Sequence, residues 1–194
     1  GGHFEEFKTS NEEKWDEQLS RILIEGADAD KSKIFYTSLY HSCTVPNLAS
    51  DADGRYRGTD LEIHQLSEDD GKHYTVFSLW DTFRSLHPLL SWIEPDLTRD
   101  FVKTMLRMYE DGGQLPVWEL AGNYTGCMIG YHSIPVIVDA FKKGIVDFDI
   151  ETAYKAMLHS ANQNHLGLDS YKKNGFIAAN DEPESVSKTL EYAY

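Results

Sequence analysis

The chain has 194 residues, 41% of them apolar, enough for one domain with a hydrophobic core. Its 32 acidic against 18 basic residues leave a net charge of −14, which argues against a nucleic-acid backbone as partner, because binding phosphates takes clusters of Lys and Arg. No apolar run is long enough to span a membrane, and the polar, acidic start His3-Phe-Glu-Glu6 has no signal-peptide pattern. The leading Gly1-Gly2 pair is of the kind left by cloning.

Ser10 and Glu13 have the spacing of a capping box, which predicts a helix with Trp15, Leu19, Ile22 and Leu23 on one face, stopping near Gly26. Asp30 then caps a second helix with Ile34, Phe35, Leu39 and Cys43 inward, closed by Pro46. Residues 47–76 read as loop, with one short strand pair at Asp60–Gln65 and Lys72–Phe77. Ser78 and Asp81 suggest a cap for a helix over Leu79–Leu86, which Pro88 kinks or restarts. Asp96 opens a helix with Phe101, Met105, Leu106 and Tyr109 at helical spacing, ended by Gly112-Gly113. After a loop over Gln114–Tyr131, Ser133 and Pro135 start a helix with Ile134, Val138 and Phe141 on its apolar face, stopping at Gly144. Asp149 caps the next, with Ala153, Tyr154 and Met157 inward, and a polar stretch at Asn162–Asp169 leads to a short helical piece. A last helix starts at Ser185 or Ser187. Its stripe of Val186, Leu190 and Tyr194 has no stop signal after it, so the sequence is expected to continue in a longer parent. Cys43 and Cys127 sit among apolar neighbours and read as buried thiols. The fold class expected is mainly α: helical hairpins with long loops and one short β-hairpin, as in a section of an α/α toroid.

Trp80, Asp81, Arg84 and His87 fall within eight residues. Trp offers a flat apolar plate for the C–H face of a sugar, Asp accepts from adjacent hydroxyls, and Arg donates in a fixed fork. The competing reading is a helix start: Asp81 answers Ser78, Arg84 pairs with Asp81, and Trp80 is core. Glu119, in the shaped loop Gly112-Gly-Gln-Leu-Pro-Val-Trp-Glu119, has the chemistry of a general acid, but a lone loop Glu is more often solvated or paired. His132 precedes a helix N-terminus, where it either contacts a ligand hydroxyl or satisfies itself in the core. The segment Asp51–Glu62 looks superficially like a calcium loop. It has Arg where an EF-hand loop needs ligands and lacks the required glycine, so it reads as surface. Asn123-Tyr-Thr125 is a glycosylation sequon by spelling only, and no Walker loop, dinucleotide fingerprint, His-Glu-x-x-His or Cys/His cluster occurs.

Taken in order, several stretches resemble glycoside hydrolase family 92, the exo-acting α-mannosidases. They are Ile34-Phe-Tyr-Thr-Ser-Leu-Tyr-His41, Asp53-Gly-Arg-Tyr-Arg-Gly58, Tyr74-Thr-Val-Phe-Ser-Leu-Trp-Asp-Thr-Phe-Arg84 and Gly112-Gly-Gln-Leu-Pro-Val-Trp118. Met128-Ile-Gly-Tyr-His-Ser133, Val138-Asp-Ala140, Lys143-Gly-Ile145 and Ser185-Val-Ser-Lys-Thr-Leu-Glu-Tyr-Ala-Tyr194 continue the match. The resemblance implies that residues 1–194 are one segment of an (α/α)6-barrel catalytic domain, without the family's upstream β-sandwich. It implies calcium-dependent, inverting removal of terminal α-linked mannose, with α-1,2-mannosidase activity as the expectation, in a periplasmic, secreted or cell-surface parent.

The family's acid lies in a Thr-Glu-Gly-Asn-like motif and its base in a later Asp-rich segment; neither motif occurs here. The resemblance therefore assigns no catalytic residue and no calcium ligand to this chain, and Glu119 is not the family's acid. It implies that Trp80 and Asp81 face mannose, with Arg84 and His132 also binding it and Glu191 supporting the pocket from behind. The partner expected is a mannose-containing glycan, with self-association through helix faces that a truncated toroid would expose. The alternative is a non-catalytic carbohydrate-binding or helical scaffold domain.

Overall fold

The computed structural model describes residues 3–193, so Tyr194, the end of the expected last stripe, lies outside the described residues. The chain divides into two compact units, Gly1–Val45 and Pro46–Tyr194.

The first unit is a helix pair, α1 (Phe4–Leu19) and α2 (Ala29–Ser42). Helix α1 starts before Ser10: His3 is its N-cap, and the Glu6 side chain reaches back to accept from the His3 amide. The acidic first turn suits the positive end of the helix dipole. Helix α2 is capped by Asp28 rather than Asp30; the Asp28 carboxylate accepts from the Lys31 amide at 2.9 Å. Trp15 and Tyr40 pack at 4.6 Å between ring centroids, and Leu39 is buried, but Ile34 faces solvent.

The second unit opens with short strands: β1 (Asn47–Leu48), β2 (Arg55–Arg57), β3 (Ile63–Gln65), β4 (Tyr74–Thr75) and β5 (Phe77–Ser78). The expected pairing of 60–65 with 72–77 does not form. Instead β2 pairs with β3 in a hairpin, β1 pairs with β4, and β5 joins β6 (Trp118–Leu120) and β7 (Asn123–Tyr124) in a three-stranded sheet. Helices α3 (Leu79–Thr82), α4 (Leu86–Ile93), α5 (Pro95–Gly112), α6 (Ser133–Lys142), α7 (Ile150–Asn162), α8 (Leu168–Asn174) and α9 (Ser185–Tyr192) complete the unit.

Helix α5 organises the core. Phe101, Met105 and Met108 recur at helical spacing beside Val102 and Leu106, and all are buried against Leu90 of α4, Val136, Ile137 and Ala140 of α6, and Ala153 and Ala156 of α7. The helix ends where Gly113 takes a left-handed φ of 82° and its amide returns to the Tyr109 carbonyl. The α6 face differs from the expected one: Val138 and Phe141 are exposed, because the Val136–Ala140 stripe goes inward. Tyr154 of α7 is likewise exposed, while Ala153 is buried. A smaller core joins α8 and α9, where Leu168, Ile177 and Tyr192 pack with Tyr131 and Tyr171. On α9, Val186 and Leu190 point to solvent. Neither cysteine is in a disulfide; the Cys43 sulfur accepts from the Gln18 side-chain amide, and Cys127 is exposed, not buried, in the loop after β7.

Candidate functional site

The placement of Trp80 follows from its two neighbours. Phe77 pairs with Glu119 across β5 and β6, and the Leu79 amide donates to the Val117 carbonyl at 2.9 Å. Both Phe77 and Leu79 are fully buried, so the first turn of α3 leaves Trp80 beside a cavity of about 450 Å³. Gly126, Met128 and Ile129 line that cavity from the loop after β7, and Leu166, Glu184, Ser187 and Glu191 line it from α9 and the turn before α8. The buried indole Nε1–H of Trp80 has no hydrogen-bond partner among the described residues.

The other expected residues sit as follows. Asp81 is exposed and accepts from the Ser78 hydroxyl at 2.6 Å. Arg84 is exposed, its guanidinium 4.8 Å from the centre of the Phe83 ring. His87, grouped with them in sequence, is buried in α4 against Phe101 and does not reach the cavity. His132 is buried behind the cavity wall: its ring meets Phe83 at 4.6 Å, and its Nε2 lies 2.8 Å from Glu191 Oε2. Burial holds the His132 imidazole below the ordinary histidine range; the Glu191 carboxylate pulls the other way, and the Arg84 charge adds to the depression. Facing a carboxylate oxygen that accepts, His132 donates Nε2–H to Glu191, and its buried Nδ1 has no partner among the described residues. Glu191, placed by resemblance behind the pocket, lines the cavity itself.

Sequence reasoning missed Glu184, Ser187 and Leu166. Ser187 and Glu191 share one face of α9 at a step of four, a signal present in the sequence, and Glu184 is the residue just before that helix. Leu166 gives no such signal. Met128, Leu166 and Glu184 adopt φ of 65°, 50° and 56°, so three of the six described non-glycine residues with left-handed backbone line this one cavity. Such strain concentrates where a site must hold a shape. An open groove of about 490 Å³ along residues 48–72 has no aromatic plate.

Glu119, weighed as a general acid, is fully buried in β6. It accepts from the Thr75 hydroxyl at 2.7 Å, the Val76 amide at 2.9 Å and the Gly122 amide at 2.6 Å. A carboxylate so engaged and closed off from solvent is a structural tie. The carboxylates of the supposed calcium loop are also engaged, Asp53 by Arg55 and Asp60 by His64. Among the described residues no group of three or more His, Cys, Asp or Glu is placed to hold a metal ion, so they do not fit a calcium site on their own.

Over its whole length, residues 1–194, the chain matches the model of the glycosyl hydrolase family 92 catalytic domain. The chain belongs to glycoside hydrolase family 92. A family 92 α-mannosidase of Bacteroides thetaiotaomicron, BT3965, is 40% identical and superposes with a TM-score of 0.95, covering 100% of this chain and 26% of its own. It has also been solved in complex with mannoimidazole. The inverting mannosidase BT2199 of Bacteroides thetaiotaomicron VPI-5482 is 32% identical with a TM-score of 0.86, over 96% of this chain and 26% of that one. The chain thus spans about a quarter of the length of these solved relatives. No curated protein matches it. With 53% of the described residues helical and strands of only two or three residues, it has the mainly α, α/α-barrel-type fold of its family 92 neighbours.

Proposed function

We propose that this chain is part of the catalytic domain of an exo-acting α-mannosidase and supplies one wall of its mannose pocket. The observation that carries this is the cavity beside Trp80, in a chain that superposes along its full length on an α-mannosidase solved with mannoimidazole. Trp80 offers the plate for the sugar's C–H face, and Glu191 and Ser187 the polar groups that meet hydroxyls. Asp81 and Arg84 hold positions next to this wall in the chain.

On this reading the reaction inverts configuration, and the acid and base come from other parts of the parent. Calcium, expected from the family, is held there as well, and the parent acts on glycans in the periplasm or outside the cell, with an α-1,2 linkage as first candidate. Titration of the chain with mannoimidazole, followed by tryptophan fluorescence, tests the pocket. Trp80→Ala is expected to weaken binding about tenfold, on the order of 1.4 kcal/mol. No binding by the unaltered chain would sink the reading. The isolated chain is expected not to hydrolyse an aryl α-mannoside; calcium-dependent mannose release by it would place the carboxyl pair here instead.

The exposed apolar groove of about 270 Å³ between α6 and α7, lined by Val138, Phe141, Ile150 and Tyr154 among others, supports self-association of the isolated chain. Sedimentation velocity over a hundredfold concentration range is expected to show the sedimentation coefficient rising with concentration; a constant monomer value would overturn this.

A further inference from the structure

The cavity has an unusual charge balance. Its lining residues include two carboxylates, Glu184 and Glu191, and no Lys, Arg or His. The two oxygens of Glu191 have different fates. Oε2 is tied by His132 Nε2–H at 2.8 Å, while Oε1 accepts from no protein group among the described residues. His132 cannot exchange roles with it. Its ring is 2% exposed, pinned against Phe83, and Gly130 passes so close that a Cβ there would sit 2.4 Å from His132 Cε1. The helix that carries Glu191 is fastened to the same loop by the Tyr131 hydroxyl, which donates to the Tyr192 carbonyl. The carboxylate is therefore held from both sides, with one acceptor oxygen left for a guest.

From this geometry we infer that Glu191 is the group of the pair that touches the ligand, accepting from a sugar hydroxyl through Oε1, and that His132 is a positioning residue that acts only through Glu191. The roles implied by the family resemblance are thus exchanged. The same wall sets ligand charge: with two carboxylates and no cation among its lining residues, and Arg84 outside that lining, the cavity favours a neutral, hydroxyl-rich sugar over one carrying a carboxylate or phosphate. This inference rests on the mannoside reading above and goes further in naming the contact and the excluded class.

The experiment uses this chain, with methyl α-mannopyranoside and the corresponding methyl α-mannuronoside as probes. Binding is followed by ligand-observed NMR, and His132 by ¹⁵N-detected imidazole spectra. The unaltered chain is expected to bind the neutral sugar, to bind the uronoside at least tenfold more weakly, and to show the Nε2–H tautomer of His132 between pH 6 and 8. Glu191→Gln, which keeps shape and removes the charge, is expected to weaken the neutral sugar about tenfold and narrow the preference over the uronoside. His132→Ala is expected to weaken binding to a similar degree, whereas His132→Gln, whose amide can still donate to Glu191, restores most of it. A merely structural histidine would show no such rescue. Amide fingerprint spectra of each variant confirm that it is folded. If the unaltered chain binds neither sugar, the mannoside reading fails and this inference falls with it. If the unaltered chain binds and Glu191→Gln leaves both affinities unchanged, or if His132→Gln is as weak as His132→Ala, only this inference is overturned.

Discussion

Replacing Glu119 by Ala is expected to cost about 4 kcal/mol and to lower the melting temperature by about 10 °C. The side chain has no exposed surface and receives three hydrogen bonds, from the Thr75 hydroxyl and the Val76 and Gly122 amides. The Thr75 oxygen in turn accepts from the Ala121 amide at 2.8 Å, so the tie runs from the β6–β7 turn through Glu119 to the start of β5. Removing the carboxylate leaves three part-buried donors without their acceptor, at roughly 1–3 kcal/mol for each that stays unsatisfied. Two of the segments it holds are already strained. Val76 has a φ of 67° and Ala121 one of 53°, conformations that cost an L-residue about 1–2 kcal/mol, more for a β-branched one. Glu119→Gln keeps the volume but turns an NH₂ toward donors, so it is expected to lie between the other two proteins. Urea unfolding of the three proteins checks the order. A cost below about 1 kcal/mol for the Ala variant would mean that water or a shifted loop replaces the tie.

Glu119 also shows why part of the site was hidden in the sequence. Between Trp118 and Leu120 in a Gly- and Pro-punctuated stretch, it looks like a loop carboxyl; only the pairing of β5 with β6 encloses it. The strands were illegible for a related reason. Segments of two or three residues are too short to display alternation, and β1 finds β4 only after the β2–β3 hairpin has intervened. Helix α5 was legible because its apolar period is sustained and its end is marked by Gly113. Helix α6 offers two apolar stripes, Ile134–Val138–Phe141 and Val136–Ile137–Ala140, and only tertiary packing chooses between them. Trp80 could be read from the apolar residues that anchor it. The far wall of its cavity could not, since it depends on left-handed turns at Met128, Leu166 and Glu184, residue types that give no hint of such a backbone.

Stability is expected to fall by about 3 kcal/mol between pH 6.5 and 4 through His87 alone, and His87→Leu should abolish that part of the loss. The imidazole is 2% exposed, neither ring nitrogen has a partner among the described residues, and the ring edge meets Phe101 with centroids 5.8 Å apart. Burial pushes its pKa down from 6.5 to about 4. The sign follows from proton counts. Below pH 6.5 the unfolded chain binds a proton at this position that the folded chain refuses until about pH 4, so acid favours unfolding across that window. Above pH 6.5 both forms are neutral and the term vanishes. His73 adds a slope of the same sign, because burial and the Arg107 charge hold it down to about 3. The exposed pair His64–Asp60 works oppositely, since the carboxylate raises His64 and its contribution is lost as pH rises through the folded value. The informative quantity is therefore the difference between the unaltered protein and His87→Leu, measured by urea unfolding at half-unit pH steps, in which the other histidines cancel. At neutral pH the Leu variant is expected to be the more stable by about 1 kcal/mol, because it replaces two unpartnered polar atoms with apolar ones of similar volume. At pH 4.5 the gap should widen to about 3.5 kcal/mol. A gap that does not change with pH would show that His87 has found a partner, such as a buried water, and keeps an ordinary pKa.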